Sequence, residues 1–435
     1  MFEIDAPMSD VLVTAIFVAA YVLIATEWIH RVVVALAGAG LMLLFQFLSA
    51  EEAFHSERFG IDWNVIFLLF GMMVIVGVLR QTGLFEYLAI WSAKKAGGKP
   101  FRIAVMLIII TAVASALLDN VTTILLVVPV TLLIADRLGM SAVPLLVGET
   151  MASNIGGTAT LIGDPPNIII GSEANLSYVD FLANLGPLVV ILMVVYIWLV
   201  KVLFREAFAS RLERAEEIMQ LDERESLQEG PLLGQALAIL GLVTAAFALQ
   251  GALHYEPSIV ALLGAGTLLL MARRDISPFL REVEWQTLLF FAGLFVMVGS
   301  LVRVGVISDL ADALTGVTGS NLALSVVLLL WISAALSAVI DNIPYVATMA
   351  PLVQVLVDSL PGGTDSTVLW WALAAGADLG GNATAIGASA NVVMIGLAAR
   401  SGQPIRFLEF AKYGVVVTVT TVAISTLYFL IRYLA

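Results

Sequence analysis

The chain contains no cysteine. That excludes disulfides, thiolate metal sites and thiol redox chemistry. Histidine is nearly as scarce: His30, His55 and His254 lie far apart, each near the end of an apolar run, so a metal cluster is not expected. Charge is thin as well. Only 13% of the 435 residues are charged and 60% are apolar, whereas a soluble domain holds about 25% charged and about 45–50% apolar residues. The 21 basic residues are outnumbered by 34 acidic ones, and no nucleic-acid partner is expected. Met1–Asp10 lacks a basic start and a small-residue cleavage site, so no removable signal peptide is expected. No nucleophile–base pair, metal-ligand spacing or cofactor motif is present. Neither an enzyme nor a cofactor is indicated.

What the chain does have is long apolar runs, such as Val11–Ala25, Val65–Leu79 and Leu185–Val200. Several approach the roughly 20 residues that cross a hydrocarbon core. Strands of a membrane barrel would be about ten residues long and would alternate apolar with polar; these runs do not. The reading is an all-α polytopic protein of the lipid bilayer, with five crossings and one re-entrant hairpin in each half. The first half places crossings near 10–25, 32–48, 64–80, 142–171 and 181–204, with a hairpin near 102–136. The second half repeats this near 234–252, 258–272, 286–302, 368–398 and 408–433, with a hairpin near 322–358. Leu84–Ala96, carrying Trp91, Lys94 and Lys95, reads as an interfacial helix.

The two halves align. Asp62-Trp63 matches Glu284-Trp285, Gly71, Gly77 and Gly83 match Gly293, Gly299 and Gly305, and Pro129 matches Pro351, all at an offset of 222. Five crossings is an odd number, so the second half is inverted relative to the first, an arrangement common in secondary transporters. The division is 1–204 for the first inverted repeat, 205–230 for a mixed-charge cytoplasmic linker, and 231–435 for the second. With the N-terminus outside, Arg31, Lys94, Lys95, Lys99, Arg102, Arg137, the linker basics, Arg273, Arg274, Arg281, Arg400, Arg406 and Lys412 fall inside, and only Arg58, Arg303 and Arg432 fall outside. This follows the positive-inside rule and puts both termini in the periplasm of an inner-membrane protein.

Polar islands interrupt the apolar runs in matched places. Ser115-Ala-Leu-Leu-Asp119-Asn120 is repeated as Ser337-Ala-Val-Ile-Asp341-Asn342. Further on, Asn154-Ile-Gly156-Gly157-Thr158-Ala-Thr160-Leu-Ile-Gly163-Asp164-Pro-Pro-Asn167 is answered by Asp378-Leu-Gly380-Gly381-Asn382-Ala-Thr384-Ala-Ile-Gly387-Ala-Ser-Ala-Asn391. Glycine and proline oppose a continuous helix, so 142–171 and 368–398 should each be two half-helices around an unwound centre. The second, without prolines, should break more mildly. Asp119 and Asp341 are expected at the hairpin tips, as functional carboxylates or as helix caps. Asp164, Asp378 and Glu149 are further candidates for proton or ion coupling. Glu149 has no acidic counterpart, and facing water at a helix end is its alternative.

These motifs resemble those of the ion transporter superfamily, closest to the branch of arsenite permeases, the P-protein of melanosomes and the NhaD sodium/proton antiporters. The resemblance spans nearly the whole chain. It implies that solute and coupling ions bind between hairpin tips and broken helices. By position that indicates Asp119, Asn120, Thr122 and Thr123; Asn154, Gly156, Gly157, Thr158, Gly163, Asp164 and Asn167; and Asp341, Asn342, Asp378, Gly380, Gly381, Asn382 and Thr384. Ile343-Pro344 stands where the first half has Val121-Thr122, so the second tip is expected to be the less polar. The implied function is proton-coupled efflux of arsenite or antimonite, with a sodium/proton antiporter or another anion permease as the alternative. The resemblance also admits association with a cytoplasmic ATPase or self-association. Acidic tips argue against a dicarboxylate.

Overall fold

The apolar runs become helices, and the sequence supplies their ends. Asp62, Asn321, Asp119 and Asp341 each place a side-chain oxygen on a backbone N–H of the first turn that follows, which satisfies donors that would otherwise be orphaned. Gly139 ends a helix in the left-handed conformation. The computed structural model describes residues 6–26, 28–56, 58–97, 99–209, 222–228, 230–253, 255–272, 275–318, 321–360 and 366–434. The linker charges from Arg211 to Glu217, together with His254, Arg273 and Arg274, lie outside the described residues.

Nine principal helices form the first repeat: α1 Ala6–Thr26, α2 Arg31–Leu44, α3 Trp63–Arg80, α4 Leu84–Lys95, α5 Pro100–Leu117, α6 Asn120–Leu138, α7 Val143–Gly157, α8 Pro165–Glu173 and α9 Gly186–Leu203. Nine form the second: α10 Leu232–Ala248, α11 Pro257–Ala272, α12 Trp285–Val304, α13 Val306–Thr318, α14 Leu322–Ser337, α15 Asn342–Ser359, α16 Val368–Gly380, α17 Ser389–Arg400 and α18 Phe407–Tyr433. Each helix of the first set answers the one nine places later. Among the described residues, seven helices are both long and apolar enough to cross a bilayer. The predicted crossings, hairpins and broken helices all appear, with ends shifted by a few residues.

The second break is no milder than the first. Eight residues separate α16 from α17, and seven separate α7 from α8. An asparagine holds each break. Asn391 Nδ2 donates to the carbonyls of Gly381 and Thr384 at 2.7 and 2.8 Å, as Asn167 Nδ2 does to Gly157 and Thr160 at 3.3 and 3.0 Å. Carbonyls freed by unwinding are thus satisfied inside the protein, as a membrane interior requires.

Two kinds of close packing position the site. Within each repeat, the first hairpin arm lies along the broken helix: a Cβ on Gly156 would stand 2.3 Å from the Ala112 carbonyl oxygen, and one on Gly380 would stand 2.5 Å from that of Ala334. Between repeats, α2 packs on α12 and α11 on α3. The broken helices also cross over, since α17 packs on hairpin arm α6 and α8 on hairpin arm α15.

Two elements add to the predicted set. The helix α13 mirrors α4 at the same offset of 222. The end of the linker is also not free. A short turn at Glu223–Ser226 docks on α4, with Lys94 Nζ 2.5 Å from a Glu223 oxygen and the Gln228 N–H donating to the Thr82 carbonyl at 3.0 Å. Gly83, at φ +74°, makes room for it, because any side chain there would meet the Ser226 carbonyl. The hydrogen bond from Lys94 holds the half-buried Glu223 carboxyl below its usual range. As for Leu84–Ala96 itself, it is helical as read, with Phe85, Ala89, Ile90 and Ala93 buried against the hairpin.

Candidate functional site

The hairpin tips turn at Asp119 and Asp341, and both aspartates cap the helix that follows. The Asp119 carboxylate accepts from the Thr122 N–H at 2.8 Å and from the Thr122 hydroxyl at 2.5 Å. Capping and a place in the site therefore coincide at one residue. Beside each tip a serine ties the arm to the broken helix: Ser115 Oγ donates to the Ser153 carbonyl at 2.7 Å, and Ser337 Oγ donates to that of Ala377 at 2.5 Å. Thr160 and Thr384 repeat the pattern, donating to the carbonyls of Ala116 and Ala338 at 2.6 and 2.5 Å. Their hydroxyls are thus structural ties.

Asp164 is the point on which both tips converge. Its Oδ2 accepts from Asn120 Nδ2 of the first tip at 2.6 Å, and its two oxygens accept from Asn342 Nδ2 of the second tip at 3.2 and 3.3 Å. Asn120 Nδ2 also reaches Asn154 Oδ1 at 3.2 Å. Asn154 Nδ2 in turn donates to Asn382 Oδ1 and Asn391 Oδ1 at 3.0 and 3.2 Å. Five asparagines and one aspartate therefore join both tips to both breaks. Asp164, Asn154, Asn167, Asp378, Asn382 and Asn391 are all completely buried.

Not every polar atom here has a partner. Among the described residues, Asn120 Oδ1, Asn167 Oδ1, both Asp378 carboxylate oxygens and Asn382 Nδ2 make no hydrogen bond. Thr158 and Asn167 lie beside Asp378 without hydrogen-bonding geometry, and the Thr158 hydroxyl donates instead to the Asn154 carbonyl at 3.0 Å. Buried groups are rarely left unsatisfied, and each exception marks a place of function or strain. Here the exceptions gather at one centre and include both acceptors and a donor. The glycines contribute by closeness: Gly157 and Gly163 pack against each other across the first break, and Gly381 lies against Gly387 across the second. Thr123 is fully buried near the first tip, its hydroxyl unpartnered among the described residues.

The second tip carries a cation that sequence reasoning counted only as a loop residue. Arg31, at the start of α2, lies 3.2 Å from an Asp341 oxygen and donates to Ser389 Oγ at 2.8 Å, while Ser389 Oγ reaches Asp341 at 2.5 Å. The second tip is therefore ion-paired, and the expectation that it is the less polar one does not hold. Its partner stands 310 residues away in sequence, which no local pattern could signal. Glu284, the α12 counterpart of Asp62, also belongs to this corner: Oε2 accepts from Thr287, and Oε1 is unpartnered among the described residues.

Glu149 stands apart. It faces Thr131 of α6, whose hydroxyl donates to Oε1 at 2.8 Å, and no hydrogen bond joins it to the aspartates. A cavity of about 790 Å³ lies toward the end of α8, lined by Arg58, Asp62, Asn64, Glu173, Glu256 and Asp358 among others.

Comparison with known proteins accords with this architecture. Residues 21–376 match the family model described as citrate transporter, CitMHS. An uncharacterized transporter of Mycobacterium tuberculosis is 53% identical over 426 residues, covering 98% of this chain and 99% of its own. The human P protein is 32% identical over 97% of this chain and 59% of its own length. Among solved structures, the YdaH transporter of Alcanivorax borkumensis, whose topology is described as unusual, superposes with a TM-score of 0.54 at 16% identity over 97% of each chain. At that identity the likeness concerns the fold alone. A multi-pass, all-helical membrane protein with paired hairpins and broken helices, the chain belongs to the citrate transporter family of the ion transporter superfamily.

Proposed function

We propose that the chain is a proton-coupled secondary transporter that exports arsenite or antimonite as the neutral trihydroxide, and that the solute binds where the two tips meet the two breaks. One observation carries this reading: where the tips meet the breaks, the unpartnered buried atoms of Asn120, Asn167, Asp378 and Asn382 offer several acceptors and one amide donor. A neutral trihydroxide both donates and accepts, so it satisfies such a set. Asp119, Asp164, Asp341 and Asp378 supply the proton-carrying groups, because a carboxylate at this depth costs several kcal/mol unless paired or protonated. Binding the solute would displace the bonds that join the tips, and proton uptake would restore a neutral site.

The family description names citrate. A bare polycarboxylate would meet these aspartates, and the Arg31 guanidinium nearby is already engaged by Asp341, so we rank it below a neutral solute. Sodium/proton antiport is the second reading. The two unpartnered oxygens of Asp378 favour it, since oxygen-only sites suit hard cations. We place the protein in the inner membrane with both termini outside, divided as 1–204, 205–230 and 231–435.

The test uses cells deprived of their own arsenite efflux and sodium antiport systems. Arsenite resistance, with arsenite uptake by everted vesicles under a proton gradient, is the expected result. Resistance to sodium or lithium alone would move the assignment to antiport. Indifference to arsenite in both assays would end the leading reading.

A further inference from the structure

Away from the tips, one acidic side chain is buried with no counter-charge. Glu149 lies on α7 between its start at Val143 and its break, and it is completely buried. Oε1 has the Thr131 hydroxyl; Oε2 has no hydrogen-bond partner among the described residues. Among the described residues, the surrounding elements give it no ion pair. At this level α5 presents Ile108, packed at Gly148. From α6 comes Thr131. From α9 comes Tyr196, a titratable group beside Glu149 whose hydroxyl is spent on the Gly148 carbonyl at 2.7 Å. The helices α16 and α17 meet α7 at its break, where α16 brings Asp378.

Glu149 is nonetheless joined to the centre by its own helix. Residues four apart share a helical face, so Ser153 stands one turn nearer the break on the face of Glu149. The Ser153 hydroxyl lies 3.1 Å from Ser115 Oγ and donates to the Asn120 carbonyl at 3.2 Å. Asn120 then bonds Asp164. Polar groups therefore step from Asp164 through Asn120 to Ser153, and Glu149 follows one helical turn away with no hydrogen bond to Ser153. From there about 9 Å of helix remains to the start of α7, at 1.5 Å per residue.

We propose that Glu149 is a second proton-binding carboxyl, separate from the solute site, which exchanges protons between the tip cluster and the protein face where α7 begins. One proton leaves a tip carboxyl as one is gained by Glu149; the Ser153 hydroxyl is the polar side chain on the Glu149 face between them, and it bonds neither carboxyl. The arrangement keeps the proton exit apart from the solute path, so solute need not vacate the site before the proton moves. This proposal rests on the proton coupling of the preceding reading.

The experiment uses the full chain reconstituted in liposomes, with radiolabelled arsenite and an internal pH dye. Wild-type transport must respond to a pH gradient; if it does not, proton coupling itself falls, and this proposal with it. Given that response, Glu149→Gln is expected to keep arsenite–arsenite exchange within about twofold while gradient-driven transport falls about tenfold or more. Equal loss of both modes, or loss of neither, overturns the proposal. A measurement that needs no variant stands beside it. Dicyclohexylcarbodiimide, which modifies protonated carboxyls in apolar surroundings, should label Glu149 in the wild type, and labelling should fall as pH is raised. A Glu149 peptide that stays unlabelled at every pH where the protein is folded overturns the proposal whether or not the variant folds.

Discussion

Replacing Asp164 by alanine tests whether the two hairpin tips are held by one carboxylate. Asn342 Nδ2 donates to Asp164 alone, through both oxygens, whereas Asn120 Nδ2 has Asn154 as a second acceptor. Hydrogen bonds to a charged group are worth about 1.5–3 kcal/mol each, and a buried donor left unpaired costs a similar amount. Asn342→Ala alone should therefore cost about 1.5–3 kcal/mol, or about 10- to 150-fold in kcat/KM. In an Asp164→Ala background the same change should cost almost nothing, because its partner is already gone. The coupling energy of the cycle is then about 1.5–3 kcal/mol, well outside the roughly 0.5 kcal/mol seen for independent sites. Initial rates of arsenite transport in liposomes for the four proteins give the cycle. If Asp164→Ala is too slow to measure, thermal midpoints of the purified proteins give the same comparison. Additive losses would show that Asn342 acts through something other than Asp164 and would remove the shared bond from the account of the site.

Other perturbations follow from the packing and the ion pair. Arg31→Ala leaves Asp341 without its cation; both side chains are partly exposed, at 28% and 15%, so the loss should be about 1–2 kcal/mol, between the surface and buried limits. Asp341→Asn in the same chain should recover more than half of it in thermal midpoint, and no recovery would mean the pair is incidental. Gly156→Ala forces a methyl onto the Ala112 backbone and should lower stability by about 1–3 kcal/mol. Gly241→Ala, with nothing within 4 Å of the new methyl, should stabilise α10 by up to about 1 kcal/mol; identical midpoints for the two would contradict the close approach. Reporters fused at either terminus should behave as periplasmic, and cytoplasmic signals at both ends would reverse the proposed orientation.

Much of the fold was legible because the chain repeats itself. The doubled Asp-Asn tips and doubled Gly-Gly breaks located both hairpins and both broken helices, and composition alone named the solvent. The misses have physical causes. Val306–Thr318 is amphipathic, with Asp309 and Asp312 in a short run, so it lacks the hydropathy of a crossing; the offset that maps Leu84 onto Val306 was the available signal. The lack of prolines misled about the second break, because Asn391 holds its freed carbonyls as Asn167 holds those of the first, with or without prolines beside it. Arg31 obeyed the positive-inside rule and so looked explained. Its pairing with Asp341 depends on how α2 lies against α12, which is tertiary information. Likewise Glu223 and Gln228 read as solvated linker, yet they dock where Gly83 leaves space.

The exchange of partners between the halves, α2 on α12 and α11 on α3, bears on how such a chain arose and how it is made. Each repeat packs its third helix chiefly on the other's second and only lightly on its own elements. A single-repeat ancestor built this way would bury those surfaces only by pairing with an upside-down copy of itself, so insertion in both orientations would precede the gene fusion. For the modern chain, α3 leaves the ribosome long before α11 exists, and it must wait in the bilayer with its glycine face uncovered. Residues 1–209 and 222–435, made as two separate polypeptides, should therefore find each other and co-purify.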